Sequence, residues 1–387
     1  GAYLQVQHFM QAFPARLQVF HVMSGAIFDP QSLGELTAID AYIDEQASFP
    51  IIEDSGAVHF VYRGEAQDVG IVGDMIGFRR EDPMTRVADS EFYYYSTVLE
   101  PDAAVGYGYI LDFEDPVPDP LNPTPHEGMF GEVSWFAMPA WREPDFLGEA
   151  EASRRGTLET VEWKSEIREG QARTATVYLP AGYDPSDERR YPTLYFLNAD
   201  EALESGSLRN ALDNLIGTRV EPVIAVFVMA HPVGGRRDLF PPDQYREMVA
   251  KELVPLIDER FRTRPDPLHR AVAGNQNAGD LAFLSAFYHP DVFGRVGGLW
   301  PIAFGPEMKE AMPRAAETPL VIFHTWGRYH IRSPHEAWDQ VVENRAFFEQ
   351  LRDAGYRPAG GEVPEGVGWT MFRGYTDDML EALFPNR

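Results

Sequence analysis

The chain has 387 residues, 44% of them hydrophobic, which is enough apolar material for two domains of ordinary size. Its 60 acidic residues outnumber 33 basic ones for a net charge of −27, and a surface of that sign repels phosphate backbones and anionic membranes, so nucleic acid is not an expected partner. With no cysteine there is no disulfide, thiolate metal site or thiol nucleophile, and no run approaches the ~18 consecutive apolar residues of a membrane helix, so no membrane insertion is expected.

Residues 1–50 read as a lead-in segment with an amphipathic stretch over Ser32–Gln46, closed by Phe49-Pro50. The sequence starts at Gly1 and has no early basic-then-apolar leader; together with the lack of cysteine this sets the expectation of a secreted or periplasmic chain whose leader was removed. From 51 to 125, short runs alternate with period two: Ala57–Tyr62, Asp68–Val72, Glu91–Ser96 and Val105–Ile110. Gly, Asp and Pro punctuate them, and the pattern predicts a small antiparallel β-sandwich. Its Tyr and Phe residues alternate with polar ones as half-buried strands demand. The aromatic run Phe92–Tyr95 and the stretch Met138–Phe146 are nevertheless read as exposed contact surfaces for a protein partner or a homo-oligomer. Asp119-Pro120-Leu121-Asn122-Pro123 can continue neither strand nor helix, and a connector is expected over 126–157.

Over 158–387 the pattern becomes that of an α/β domain. Leu158–Ile167 and Ala172–Pro180 read as paired strands, and Thr193–Leu197 and Val223–Val228 are continuous apolar runs typical of strands buried on both faces. Arg270–Gly274 and Pro319–His324 add core strands. Helical periodicity covers Leu208–Ile216, Tyr245–Phe261, Asn277–Tyr288, Glu336–Ala354 and Thr376–Phe384. Strands alternating with helices predict a doubly wound, mainly parallel sheet.

Several segments carry a more specific signal. Pro180–Asp184, Tyr191–Tyr195, Glu252–Ile257, Phe261–Thr263, His289–Gly294, Trp326–Tyr329 and Leu383–Pro385 follow in an order that resembles the enterochelin-esterase-like and feruloyl-esterase-like branch of the α/β hydrolases. Upstream, Phe60–Gly64 and Val72–Asp74 resemble the immunoglobulin-like, glycogen-binding-type module that precedes the hydrolase in many relatives. The resemblance implies an α/β-hydrolase fold behind a small all-β immunoglobulin-like sandwich. Active members attack an ester carbonyl with a serine at a sharp strand-to-helix turn, G-x-S-x-G, followed in the chain by an acid and a histidine.

All three positions differ here. The turn reads Gly274-Asn275-Gln276-Asn277-Ala278-Gly279, with Gln276 at the nucleophile position, and a carboxamide has no hydroxyl from which a base could form a nucleophile. The acid position, in a segment resembling W-G-R-Y-D, is His330. The histidine position, in a turn resembling E-G-H-G-W, is Val367, which carries no proton. Loss of nucleophile or base alone costs ~10⁶-fold in turnover and further losses then cost little, so replacement of all three fits a chain no longer under selection for hydrolysis.

No catalytic residue is therefore expected. Ser205, Ser207 and Ser285 read as turn or packed helix serines. His324, His330 and His335 cluster in sequence without ligand spacing, and neither metal nor cofactor is expected. A surviving cleft would offer Asn198, Arg236, Asn275, Gln276, Asn277, Arg328, His330 and Trp369 to a small polar, ester- or carbohydrate-like ligand; the alternative is that these side chains satisfy each other in a closed core. The function expected is that of an esterase-like pseudoenzyme with a binding or assembly role. An esterase acting through displaced residues, and a structural subunit of a homo-oligomer or larger complex, are the alternatives.

Overall fold

The computed structural model describes residue 41 and residues 43–386, except 79, 88–89, 129–130, 235–240, 303 and 334–337; Arg236, His335 and most of the Ser32–Gln46 stretch thus lie outside the described residues. The chain divides into two compact units, Gly1–Arg142 and Glu143–Arg387.

The first unit contains β1 (Ile51–Ile52), β2 (Ala57–Arg63), β3 (Val69–Gly73), β4 (Asp82–Pro83), β5 (Thr85–Arg86), β6 (Phe92–Val98), β7 (Ala104–Leu111), β8 (Pro125–Gly128) and β9 (Gly131–Ala137). They form a sheet in the order β1-β2-β6-β5 and a second in the order β4-β3-β7-β9-β8. The sheets face one another: Phe60 of β2 meets Tyr107 and Phe136 edge-on at 4.7 and 5.7 Å, and the Tyr109 hydroxyl of β7 donates across the gap to the Val61 carbonyl at 3.0 Å. This is the expected all-β unit, consistent with an immunoglobulin-like accessory domain.

Two expectations need correction here. β8 and β9 occupy residues read as connector, and the unit runs to Arg142. β8 is an edge strand, where the opening Pro125 can be accommodated without breaking a central ladder, so the proline-rich stretch does not end the domain. Nor is Phe92–Tyr95 an exposed surface. β6 is flanked by β2 and β5, and Phe92 and Tyr93 are buried, Phe92 among Ile51, Val61 and Val87. In the stretch Met138–Phe146 only the two ends are buried; Pro139, Ala140, Arg142, Glu143 and Asp145 are exposed as expected.

The second unit carries β10 (Thr157–Ser165), β11 (Gln171–Leu179), β12 (Thr193–Leu197), β13 (Ile224–Val228), β14 (Arg270–Asn275), β15 (Arg295–Leu299), β16 (Val321–Gly327), the short ribbon β17 (Arg332–Ser333) and β18 (Trp338–Asp339), and β19 (Ala359–Val363). The large sheet runs β10-β11-β13-β12-β14-β15-β16-β19, antiparallel through its first three strands and parallel thereafter. Its helices are α1 (Ala199–Glu204), α2 (Leu208–Leu215), α3 (Pro242–Met248), α4 (Val254–Arg260), α5 (Gln276–Tyr288), α6 (Pro306–Ala311), α7 (Gln340–Asp353), α8 (Trp369–Phe372) and α9 (Thr376–Leu383). This is an α/β-hydrolase-like mixed sheet. The core on one face joins Tyr195, Leu197 and Val226 to Tyr245, Leu253 and Phe283 of the helices.

Local physics explains the departures from the sequence pattern. The helix expected from Tyr245 to Phe261 contains a π-turn over Val249–Leu253, beside Pro255, which has no N–H to give to the ladder. α7 starts at Gln340 because the Asp339 carboxylate accepts the Val341 N–H at 2.8 Å and caps it. β15 carries no apolar run to mark it. Gly298 lies where a Cβ would come within 2.6 Å of Phe283, so helix α5 packs against bare backbone.

Candidate functional site

In a parallel sheet with helical crossovers, the loops leaving the carboxyl ends of the strands gather at one edge, where such folds place their ligands. Asn198 follows β12, Gln276 follows β14, Trp300 follows β15, His330 follows β16 and Val367 follows β19. The sheet thus brings Gln276, His330 and Val367, the three positions at which the resemblance expects a triad, to the same edge.

The elbow itself is intact. β14 passes into α5 without an intervening loop, and Gln276 sits in the left-handed region at φ 47, a strained conformation for a long side chain. Gly274 permits the turn, since a Cβ there would lie 2.4 Å from the Ala278 carbonyl oxygen. Gln276 is half-buried and Asn277 is exposed, so both face accessible space at the helix N-terminus.

The other two positions are closed. His330 is fully buried; its Nδ1 accepts the Ile331 N–H at 2.9 Å, which leaves the proton on Nε2. Among the described residues Nε2 has no hydrogen-bond partner. Burial pushes its pKa down to about 4, so the ring is neutral at neutral pH and cannot supply the negative charge that an acid supplies to its histidine. Val367 is buried too.

The remaining ligand candidates divide. Arg328 gives its guanidinium to Glu362 at 3.0 Å, and Arg345 holds the same carboxylate. Trp369 donates its indole N–H to Glu201 at 2.9 Å and packs on Phe196. Both side chains are thus tied to a carboxylate of the fold, Trp369 buried and Arg328 exposed. Asn198 and Asn275, by contrast, are buried with amide atoms unpaired, the Nδ2 of the first and both polar atoms of the second. The β12–β14 ladder ends at Phe196 with Ala273, and both asparagines follow at the carboxyl ends of these neighbouring strands. Trp300, at φ 49 and fully buried, also leaves its indole N–H without a partner and packs on Phe372 and Tyr375.

His324 is boxed by Phe283, Phe304, Trp326 and Phe347, and among the described residues no group of His, Asp or Glu could hold a metal. Ser285 Oγ bonds back to the Leu281 carbonyl at 2.7 Å, and Ser207 precedes α2 at φ 50. A surface hollow lined by Leu268, Pro290, Gly294 and Pro319 lies at the amino ends of the strands, the opposite edge from Gln276. The sequence reading passed over one accessible arrangement: His231, after β13, places Nδ1 3.0 Å from an Asp200 oxygen, after β12. Thirty-one positions separate them in the chain, and only the adjacency of two core strands would have linked them.

Comparison with known proteins agrees with this geometry. The family described as "Putative esterase" matches residues 167–355. An endo-1,4-beta-xylanase/feruloyl esterase of Xylanibacter ruminicola is 26% identical over 355 residues, 87% of this chain and 46% of that protein. The uncharacterized protein YjcH of Bacillus subtilis is 24% identical over 152 residues, 38% of this chain and 62% of that protein. The chain therefore spans about half the length of the curated relatives it matches. Among solved structures, the ferric enterobactin esterase of Salmonella typhimurium superposes with a TM-score of 0.69 at 19% identity, covering 89% of this chain and 98% of that one. The Shigella flexneri enterobactin esterase, in the presence of enterobactin, gives 0.65 at 20%, covering 84% and 92%. These likenesses show the fold, and in sequence residues 167–355 resemble the putative esterases.

Proposed function

We propose that this chain is an esterase-like pseudoenzyme that has no Ser–His–acid chemistry and binds a small polar ligand at the carboxyl edge of its α/β sheet. One observation carries the reading: the elbow keeps its strained turn and its glycine, while the residue presented on it is a carboxamide and the acid and base positions are a buried neutral imidazole and a buried valine. A carboxamide cannot form an acyl-enzyme, and Val367 cannot accept its proton. The N-terminus of the 13-residue α5, with Gln276 and Asn277 accessible beside it, suits a ligand presenting hydrogen-bond acceptors.

The relatives' names, feruloyl esterase and enterobactin esterase, suggest ester- or carbohydrate-like ligands for this edge. An extracytoplasmic setting, secreted or periplasmic, accords with the absence of cysteine. Burial of Phe92 and Tyr93 takes half of the aromatic run out of reach of an assembly partner, while residues 139–145, between buried Met138 and Phe146, stay accessible to one.

The test pairs two measurements on the intact chain. Incubation with a serine-directed fluorophosphonate should leave the intact mass unchanged. A panel of neutral sugars and aromatic esters should contain compounds that raise the melting temperature, and Asn277→Ala should weaken that response. A phosphonyl adduct on any residue, or a panel without effect, would sink the proposal.

A further inference from the structure

The edge of the sheet opposite Gln276 carries a feature of its own, built by the segments that lead into β14, β15 and β16. Around Pro267, Pro290 and Pro319 these segments enclose the surface hollow, whose volume is about 290 Å³. That is the small end of the range for ligand sites, the size of a one-ring molecule.

The walls are apolar and stiff. The three prolines fix their own φ, and Leu268, 62% exposed, adds an aliphatic surface. Backbone bonds tie the segments together: the Gly294 N–H donates to the Pro267 carbonyl at 2.8 Å, and the Val321 N–H to the Gly294 carbonyl at 3.0 Å. The Thr318 carbonyl accepts the Tyr356 hydroxyl at 2.8 Å. With these backbone groups engaged in the fold, the charge at the hollow comes from Asp291 and Glu317. Both are exposed, and among the described residues neither carboxylate has an ion pair.

The cations closest in the chain are held elsewhere. Arg295 gives its Nε–H to the Leu268 carbonyl at 2.6 Å and lies over the Phe384 ring. His269 sits 2.8 Å from Asp266, and Arg314 donates to the Asp353 carbonyl at 3.2 Å. Among the described residues no Arg, Lys or His lines the hollow. Two uncompensated carboxylates against an aliphatic wall complement a ligand with a positive head and an apolar body, and the net charge of −27 concentrates such ligands near the surface. Size decides between a free ligand and a docked protein. A stable protein interface takes ~20–30 residues a side, and eight line this hollow.

We propose that the hollow binds a small organic cation, a primary ammonium or guanidinium carried on an apolar body of about one ring. The body packs against Leu268, Pro290 and Pro319, and the N–H groups of the cation donate to Asp291 and Glu317. The site is independent of the ligand proposed for the carboxyl edge.

The experiment titrates the intact chain with 2-phenylethylammonium by calorimetry, with ethylammonium and phenylacetate as controls. Expected is saturable binding with a Kd of about 1 mM for the ring-bearing cation alone. The double variant Asp291→Asn, Glu317→Gln should weaken it about 10-fold, and Leu268→Ser about 3-fold. Melting temperatures should not move, because all three side chains are exposed, and Asn277→Ala, at the other edge, should bind like the parent. Ethylammonium binding as tightly, or a double variant binding unchanged, would reduce the effect to counter-ion attraction and overturn the proposal. Equal binding of phenylacetate, or no saturation by ~20 mM, would overturn it too. None of these results bears on the carboxyl-edge reading, whose test uses neutral ligands.

Discussion

In the β-sandwich, Asp119 accepts from the Tyr107 hydroxyl at 2.6 Å, from Tyr109 at 3.2 Å and from the Leu121 N–H at 2.8 Å, while Ser134 bridges the Asp119 N–H and the Asn122 carbonyl. At the carboxyl edge of the α/β sheet, Asn198, Asn275 and Trp300 are buried as deeply, yet amide atoms and an indole N–H go unpaired. Both clusters remove polar groups from water, but only the first repays the cost with bonds. A polar network that closes on itself holds a fold together. One left open, beside a strained elbow, marks where structure has been kept for something other than stability.

The largest effect that should separate the regions is acid lability of the α/β unit. Burial pushes His324 down to about 3 and His330 to about 4, both from an ordinary 6.5. Between those values and 6.5 the unfolded chain binds protons that the native chain refuses, so stability present above about pH 6.5 is lost as pH falls. At pH 4 each imidazole accounts for a loss of about 3 kcal/mol, and His324→Phe should remove one share. Urea melts at pH 7 and pH 4 check this; a variant as acid-labile as the parent would refute it.

Next comes Asp119→Ala, which strands two buried phenols and should destabilise the sandwich by about 2–4 kcal/mol. The smallest effect is expected at Asn275→Leu, which exchanges unpaired amide atoms for a side chain of similar volume and should stay within about 1 kcal/mol of the parent or exceed it. Denaturant midpoints of the pair sharpen the comparison. If Asn275→Leu costs as much as Asp119→Ala, the edge is a structural network and the contrast fails.

Much of this architecture was legible because burial leaves period and composition behind. Apolar runs at Thr193–Leu197 and Ile224–Val228 marked central parallel strands, and the alternation in Ala57–Arg63 marked a sandwich strand. β15 and β19 escaped because glycine, not valine or isoleucine, fills them where other elements press on the backbone. β8 and β9 escape because a proline that reads as a terminus in sequence opens an edge strand in the sheet.

The sequence alone determined that Gln276 stands at the strand-to-helix turn and that His330 and Val367 stand in the segments resembling the family's acid and histidine motifs, since such segments are local and can be read without coordinates. It also determined the order of strands and helices, which follows from short-range periodicity. Only the tertiary structure decided that Arg328 and Trp369 pair with Glu362 and Glu201 and that His231 meets Asp200. Those facts depend on which strands become neighbours and in what register. A crossover of some 30 residues sets that choice, and nothing in the residues on either side of it records the partner across the gap.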